Sequence, residues 1–240
     1  MFNLLSVMIV KSLLMRNRHL SWYCYILYKK YQTFFMSHGK LSIKRANDNE
    51  WGIIKIQKYI SGKNNKLILG KGCKLYNTKI HIIGNNNQIV FGDNVNVGPK
   101  CSFWIEGNNC KIYVGSMSTF TQFVHVNAQE DFSEISIGED CMFSNHIIIR
   151  TSDSHPIYDL DTNERVNFAK SINIGKHVWI APHSTIMKGS DIGNGAIIGS
   201  NTLVTKKIPD NCLAVGLPAK VVKHNIKWTR EDIIFKKVSQ

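Results

Sequence analysis

The sequence lacks the cysteine pattern of a disulfide-bonded or zinc-bound scaffold. Its 240 residues include six cysteines, and no two of them form a CxxC pair. Small secreted domains that depend on disulfides have a much higher cysteine density, and zinc ribbons need paired CxxC spacings. We therefore expect free thiols in a reducing compartment and no zinc ribbon.

The sequence also lacks an apolar run long enough to cross a membrane. Its most apolar stretch, FNLLSVMIVKSLLM, spans only positions 2–15 and is interrupted by Lys11. A membrane-spanning helix needs about 20 apolar residues. A secretion signal carries its positive charge before the apolar run, whereas Arg16 and Arg18 follow it here. We expect neither a secretion signal nor a membrane span, which favours a cytoplasmic location.

Acidic residues are scarce over positions 1–66, which hold 12 Lys and Arg against only Asp48 and Glu50. Most of the net charge of +13 therefore lies in this part of the chain. A basic lobe concentrates anionic partners such as an acidic polymer, and it could make a peripheral contact with a membrane surface. No nucleic-acid-binding motif accompanies the charge, so we expect no nucleic-acid partner.

The clearest pattern that is present is a period of six residues between positions 173 and 204. Neither an α-helix nor a simple strand repeats at six. Three hexads make an 18-residue coil with three flat sides, and stacked coils pair at about the 4.8 Å spacing of β-strands. The pattern predicts an all-β fold, a parallel β-helix with one inward aliphatic side chain per side. These side chains are Ile174, Ile180, Ile186, Ile192, Ile198 and Val204.

Two other positions of the hexad support this fold. The fifth position, where a narrow prism has little room, holds small or β-branched residues: Val178, Ser184, Ser190, Ala196 and Thr202. The same register places Cys73, Cys101 and Cys141 inward, so we expect them to fill the interior rather than to react. The second position is mostly glycine, which we expect to provide unusual torsions at a tight corner. Its residues are Gly175, Ala181, Met187, Gly193 and Gly199.

Upstream of the hexads the coils are longer. Glycines end successive strand-like segments at Gly70, Gly92, Gly115 and Gly138, so the intervals are 22, 23 and 23. We interpret each interval as an 18-residue coil plus a four- or five-residue corner loop rich in Asn and Gly. From Gly138 to Gly175 the interval is 37, which predicts an inserted loop at residues 150–171. A long excursion from a regular solenoid is more often functional than accidental.

The pattern divides the chain into three predicted parts. Residues 51–222 form the β-helix with its inserted loop. Residues 1–50 form a basic N-terminal cap, which we predict to be helical. Residues 223–240 form a short C-terminal helix that caps the prism, because Thr229 and Asp232 have the spacing of a helix start.

These features resemble the hexapeptide-repeat acyltransferases of the left-handed β-helix class. The resemblance covers about residues 89–225 and rests on the hexads, on HVWIA, on VTKKIPDNCLAVGLPAK and on the His-Pro loop before NIGKHVW. It is closest to the galactoside and maltose acetyltransferases and, through SDSHPIYD and NERVN, to acetyltransferases of capsule and surface polysaccharides. The left hand of the helix is implied by the resemblance alone.

The resemblance implies an acetyl-CoA-dependent O-acetyltransferase acting on a surface or capsular polysaccharide. It also implies a homotrimer, with acetyl-CoA bound in the groove between two subunits, and no metal. The excess of positive charge over positions 1–66 favours an acidic acceptor, such as a polymer of sialic or uronic acid. The alternative is an acetyltransferase of a small amino sugar, amino acid or antibiotic.

The resemblance also implies catalytic roles. His155 of the His-Pro loop is the expected general base, which takes the proton of the acceptor hydroxyl as its oxygen attacks the thioester. Asp153 could orient the imidazole or stabilise its charged form. The family places an asparagine one coil upstream, where we favour Asn127 and keep His125 as the alternative. Trp179 is an outward indole that a ligand or a neighbouring subunit would cover, and it or a backbone amide would stabilise the oxyanion.

For the donor, the resemblance implies backbone contacts to the pantetheine arm and cationic contacts to the adenosine end. The expected residues are Ala181, Gly199, Ser200, Thr205, Lys206, Lys220 and Lys223. We expect direct transfer of the acetyl group to the acceptor, without an acyl-enzyme.

Two other classes of protein compete with this interpretation. Some left-handed β-helices bind zinc between subunits and hydrate carbon dioxide, and His81, His146, His177 and His183 raise that possibility. Such an enzyme would not need the His-Pro loop or the lysine-bearing tail. A non-catalytic scaffold of the same fold would not bind CoA.

Overall fold

The computed structural model describes residues 39–45 and 54–231 of the chain. Within these ranges the regular elements are β-strands, and no helix there is long and apolar enough to cross a membrane. The strands are short, from two to ten residues, and nearly all of them pair in parallel. They form three flat sides of a prism around one interior, as the hexads predicted.

Each coil contributes one strand to each side. Side I consists of β1 Leu41–Arg45, β3 Asn65–Leu69, β5 Gln88–Phe91, β8 Lys111–Val114, β11 Glu134–Ile137, β14 Ile172–Ile174 and β17 Asp191–Ile192. Side II consists of β6 Asn96–Val97, β9 Thr119–Gln122, β12 Met142–Asn145, β15 Trp179–Ile180, β18 Ile197–Ile198, β20 Leu213–Val215 and the antiparallel β21 Lys220–Lys223. Side III consists of β2 Ile54–Ser61, β4 Lys74–Ile83, β7 Ser102–Glu106, β10 His125–Gln129, β13 Ile148–Arg150, β16 Thr185–Ile186 and β19 Leu203–Val204. The first residues of β4 pair with β6, so β4 begins on side II and turns onto side III.

The strand register confirms the intervals read from the glycines. On side I, Leu67 pairs with Ile89, and the row continues through Ile112, Ile135 and Ile172. The successive offsets are 22, 23, 23 and 37, and the next pair on this side is offset by 18. The longer upstream coils and the inserted loop are therefore present where the sequence predicted them.

The interior is the predicted apolar ladder. The six first-position aliphatic residues and the five fifth-position residues are each at most 1% exposed. Burying an aliphatic side chain of this size contributes about 1.5–3 kcal/mol, so the ladder accounts for much of the favourable free energy of folding. Cys73, Cys101 and Cys141 are also interior, and burial raises the pKa of the Cys101 and Cys141 thiols to about 11. These thiols are protonated at neutral pH, as expected of interior packing groups.

The reason predicted for the second-position glycines is wrong. Left-handed torsions occur at the fourth position instead, where His177 has a φ of 52° and Gly189 a φ of 75°. Gly193, at a second position, is not among the residues with positive φ. A Cβ added to Gly193 would lie 2.2 Å from Asp210 Oδ1 and 2.5 Å from the Asp210 backbone nitrogen. Glycine is required there because the next coil approaches too closely for any side chain.

The predicted helical ends are corrected where the structure describes them. Residues 41–45, assigned to a helical cap, form β1 and pair with β3, so the solenoid begins before residue 51. Residues 1–38 and 46–53 lie outside the described residues. In the C-terminal part, Lys223 belongs to β21 and residues 224–231 are irregular rather than helical. The rest of that predicted helix, 232–240, lies outside the described residues.

The corner between sides III and I carries the extra residues of the longer coils. Its loops are joined by side chains that repeat from coil to coil: Asn85 N donates to Asn108 Oδ1 at 2.9 Å, and Asn108 N donates to Asp131 Oδ1 at 2.8 Å. The inserted loop leaves the prism at the same corner, between β13 and β14. It is therefore the longest member of a stack of corner loops.

The two kinds of glycine predict different costs of substitution. Gly193→Ala should lower the free energy of unfolding by about 2–3 kcal/mol, because its Cβ meets backbone of the next coil. Gly189→Ala should cost only about 1 kcal/mol, although its φ is left-handed, since its Cβ would meet only the Lys170 side chain. Chemical unfolding at matched protein concentration measures both. A larger loss for Gly189→Ala would contradict the packing explanation.

Candidate active site

The inserted loop, residues 151–171, is an ordered hairpin that presents His155. Its two arms are joined by a bridge between Tyr158 and Arg165 and by the Val166 N–H, which donates to the Ile157 carbonyl at 2.9 Å. His155 lies at the base of the first arm, where its carbonyl oxygen accepts a hydrogen bond of 2.8 Å from Asn167 Nδ2. Its imidazole is exposed. The backbone of His155 is thus fixed while its ring remains accessible to solvent.

Asp153, Asn167 and Lys188 clamp the base of the loop. Lys188 Nζ donates to Asp153 Oδ2 at 2.5 Å and to the Asn167 carbonyl at 3.0 Å. Asn167 Nδ2 donates to Asp153 Oδ2 at 2.9 Å. The bond from Lys188, followed by that from Asn167, lowers the pKa of the Asp153 carboxyl. In the structure Asp153 accepts hydrogen bonds from Lys188 and Asn167, whereas the sequence suggested that it orients the His155 ring.

Two arginines anchor the loop to the corner below it. Arg150 Nε donates to the Ser152 carbonyl at 2.7 Å, and Arg150 Nη2 donates to Ser154 Oγ at 2.6 Å. Arg165 Nη2 donates to Glu130 Oε1 at 2.7 Å, and this contact is the main cause of the lowered pKa of Glu130. The residues on either side of His155 are therefore held by side chains from both arms and from the preceding coil.

Asn127 and His125 lie on β10, next to the start of the loop, because Asn127 pairs with Arg150 in the strand register. Asn127 is 7% exposed, and its Oδ1 has no hydrogen-bond partner within the described residues. His125 Nδ1 lies 2.7 Å from Ser102 Oγ, and burial, followed by the charge of Arg150, lowers the pKa of His125. Asn127 thus offers an uncommitted amide oxygen, while one ring nitrogen of His125 is already engaged.

Trp179 lies on β15 of side II, which is opposite the corner that carries the inserted loop. Its Nε1 is buried without a hydrogen-bond partner in the part of the chain that the structure describes. Its ring centroid lies 6.1 Å from that of Trp228, which stacks on His177 at 4.0 Å. Because side II and the loop corner lie on opposite sides of the prism, one chain does not bring Trp179 and His155 together.

The residues expected to bind the donor lie on the last coils. Ala181 and Gly199 follow β15 and β18 at the corner between sides II and III, and their N–H groups donate to Ile198 O at 2.8 Å and Ala214 O at 2.9 Å. Those two donors are therefore used within the prism. The exposed members of the set are Ser200, Thr205, Lys206, Lys220 and Lys223.

Comparison with known proteins identifies the family. Residues 171–206 match the family model for the bacterial transferase hexapeptide (six repeats). The crystal structure of the polySia specific acetyltransferase NeuO is similar with a TM-score of 0.71 and 31% identity, covering 81% of this chain and 80% of that one. The polysialic acid O-acetyltransferase OatWY gives a TM-score of 0.69 and 31% identity, covering 80% of this chain and 92% of that one. The chain belongs to the bacterial hexapeptide-repeat transferase family.

This membership confirms the left-handed β-helix.

A relative from Escherichia coli O1:K1 / APEC, a polysialic acid O-acetyltransferase, is 41% identical over 122 residues, which are 51% of this chain and 39% of that relative. The match therefore spans well under half of that relative's length.

The histidines considered for a metal lie in three separate places in this hexapeptide-repeat transferase. His146 and His183 stack at 4.9 Å on the corner between sides II and III. His177 Nδ1 lies 2.6 Å from Asp140 Oδ2, and His81 stacks against Trp104 on side III. Within residues 39–45 and 54–231, no three His, Cys, Asp or Glu side chains are arranged to hold a metal ion.

Sequence reasoning missed the residues that hold the loop of this transferase in place. Asn167 and Arg165 belong to NERVN, which was used only for the family resemblance, and their pairing with Asp153 and Glu130 could not be read from spacing. Lys188 occupies the third position of its hexad, as Pro182 does in the hexad before. Nothing in the sequence around Lys188 distinguishes it from an ordinary surface lysine. The only available signal was that its coil follows the insertion directly.

The clamp predicts how the loop responds to mutation and pH. Lys188→Met should speed hydrogen exchange of residues 151–156, because it removes the bonds to Asp153 and Asn167. Lys176→Met is the control, since Lys176 forms an exposed pair with Glu139 at 3.4 Å and such pairs contribute little. Because the pKa of Asp153 is lowered, the clamp should persist at mildly acidic pH and weaken only as pH falls through that lowered value. Equal exchange in both variants would show that Lys188 does not hold the loop.

Proposed function

We propose that this chain transfers an acetyl group from acetyl-CoA to a hydroxyl of an acidic surface polysaccharide, with polymers of sialic acid as the leading class. The observation that carries the proposal is the likeness to two polysialic acid acetyltransferases over about four fifths of this chain. The exposed histidine on a rigidly anchored loop adds the chemistry that such a transfer needs.

His155 acts as the general base in this proposal. Neutral imidazole near pH 7 accepts the proton of the sugar hydroxyl as the oxygen forms its bond to the acetyl carbonyl carbon. Acetyl-CoA supplies the acetyl group as an activated thioester. Asn127 contributes the uncommitted amide oxygen, which accepts a hydrogen bond from the acceptor and orients it beside the loop. The clamp on Asp153 keeps the His155 backbone in place, so that the imidazole samples few unproductive positions.

The environment of Trp179 fits an acyl donor. A buried indole N–H without a partner is unfavourable by about 1–3 kcal/mol, and a thioester carbonyl would satisfy it. The same hydrogen bond would stabilise the negative charge that develops on that oxygen. The exposed lysines of the last coils, Lys206, Lys220 and Lys223, would meet the phosphates of the donor. An intracellular donor of this kind implies a cytoplasmic reaction.

The separation of His155 and Trp179 supports a trimeric enzyme. The loop corner and side II lie on opposite sides of one prism, so the two residues share a site only if they come from different subunits. A closed ring of three copies would place the His155 loop of each chain against side II of the next. Each active site would then lie between two subunits.

The reaction is tested by thiol release from acetyl-CoA with polysialic acid, dextran and monomeric sialic acid as parallel acceptors. Native protein should release thiol with polysialic acid, and His155→Ala should reduce kcat by at least about 100-fold through loss of the base. The control is His146→Asn, which removes a different exposed histidine and keeps a residue that tolerates its left-handed torsion. Full turnover by His155→Ala would overturn the assigned base, and turnover only with small acceptors would replace the polymer.

Shared sites predict complementation between two inactive variants. His155→Ala and Trp179→Ala subunits, unfolded together in equal amounts and refolded, should assemble at random. Each mixed trimer would have one intact site of its three, so activity should recover to about a quarter of the native value. Activity should be absent when the variants are refolded separately and then combined without exchange. No recovery in co-refolded trimers of the correct mass would contradict a site between subunits.

A further inference from the structure

Side III carries one row of polar and aromatic side chains that leads to the catalytic loop. Successive coils place these residues at the same register position, so they are direct neighbours: Tyr59, His81, Trp104, Asn127 and Arg150. At the strand spacing of about 4.8 Å, the row is about 19 Å long. Its last member, Arg150, donates to the loop at Ser152 and Ser154. The row therefore ends where the loop bearing His155 begins.

The aromatic part of the row is a stack whose ring faces cover one another. Tyr59 and His81 stack at 4.6 Å with an interplanar angle of 15°, and His81 and Trp104 stack at 4.2 Å with an angle of 12°. The exposed Lys79 places its Nζ 4.7 Å from the Trp104 ring centroid. With the ring faces occupied, the hydrogen-bonding groups on the ring edges are what the row can offer a ligand.

Those hydrogen-bonding groups lack partners within the described residues. Five buried polar side-chain atoms there make no hydrogen bond, and three of them lie next to one another in this row: His81 Nε2, Trp104 Nε1 and Asn127 Oδ1. His81 Nε2 lies 3.5 Å from Glu106 Oε1, which is an ion-pair distance rather than a hydrogen bond. Native proteins pair nearly all buried polar groups, so three adjacent exceptions indicate a missing partner.

The chemistry of the flanking residues favours a glycan over a second protein subunit. Lys79 and Arg150 supply positive charge, and the neighbouring carboxylate of Glu106 accepts a hydrogen bond from Gln129. Subunit contacts of stable oligomers have largely apolar centres, whereas this row combines amide, indole N–H and imidazole groups. Sugar hydroxyls and carboxylates provide acceptors and donors at closely spaced intervals.

We propose that the row from Asn127 to Tyr59 is an extended binding groove for the acceptor chain, in which Trp104 Nε1 and His81 hydrogen-bond sugar residues beyond the one being acetylated. The proposal rests on the acetyl-transfer function, for which it specifies an acidic polymer rather than a single sugar. Trp104 Nε1 and His81 Nε2 are covered in the unliganded chain, so binding requires side chains over the row to move, with the exposed Lys79 passing from the Trp104 ring to a sugar carboxylate.

The test separates polymer binding from chemistry. Trp104→Phe keeps a stacked aromatic ring but removes the N–H together with part of the indole. It should raise KM for polysialic acid about tenfold, the effect of losing one hydrogen bond to a charged partner, with kcat and KM for acetyl-CoA unchanged. KM for a sialic acid disaccharide, which reaches only the Asn127 end, should not change. Tyr113→Phe is the control, because Tyr113 is a half-buried aromatic residue on side I that also loses a polar group when it becomes phenylalanine.

Calorimetric titration with polysialic acid gives a readout that needs no turnover. On the inactive His155→Ala background, Trp104→Phe should weaken Kd about tenfold and Tyr113→Phe should not. If Trp104→Phe weakens binding of the polymer but the native protein transfers no acetyl group, the proposed function is wrong and the groove proposal stands. If acetyl transfer occurs but the KM for the polymer is unchanged in Trp104→Phe, the groove proposal is wrong and the proposed function stands. A change in trimer mass on Trp104→Phe would assign the row to a subunit contact and also overturn the groove.

Discussion

The close approach of successive coils governs the rest of this structure. Backbone N–H and C=O groups on the flat sides pair with the coil above or below, so neighbouring coils are held at the strand spacing. A residue inserted within a side would turn every following side chain to the opposite face. Extra residues are therefore confined to corners, and Gly193 shows that even a corner can lack room for one methyl group.

The corner between sides III and I accommodates the extra residues of the chain, and the proposed active site lies on the longest loop there. Upstream coils place short Asn-rich loops there, and the coil that ends with β13 places the whole segment between Arg150 and Ile172 there. The long loop is held in place because Glu130 from the preceding coil and Lys188 from the following coil both bind it. His155 thus combines an exposed ring with a fixed backbone, as the proposed general base would need in order to meet a large acceptor.

The parts of the molecule that repeat could be predicted, and the parts that occur once could not. The ladder from Ile174 to Val204 and the offsets around the insertion follow from spacing alone, and the same arithmetic would have aligned His81 with Trp104. The packing of Trp228 on His177 joins residues that are 51 apart in sequence, and no sequence repeat predicts it. Thr229 and Asp232 have a helix-start spacing, but Arg230 reaches Asp140 at 2.6 Å, and this tertiary contact accompanies a non-helical backbone over 229–231.

The antiparallel strand β21 gives the prism a defined end. A parallel solenoid leaves the unpaired backbone groups of its last coil open to any further strand, which is the geometry by which β-proteins polymerise end to end. On side II, β21 turns back to cover β20 and places Lys220 and Lys223 at the outer edge. Like-charged edges repel one another, which disfavours strand pairing between two prisms through this edge of side II.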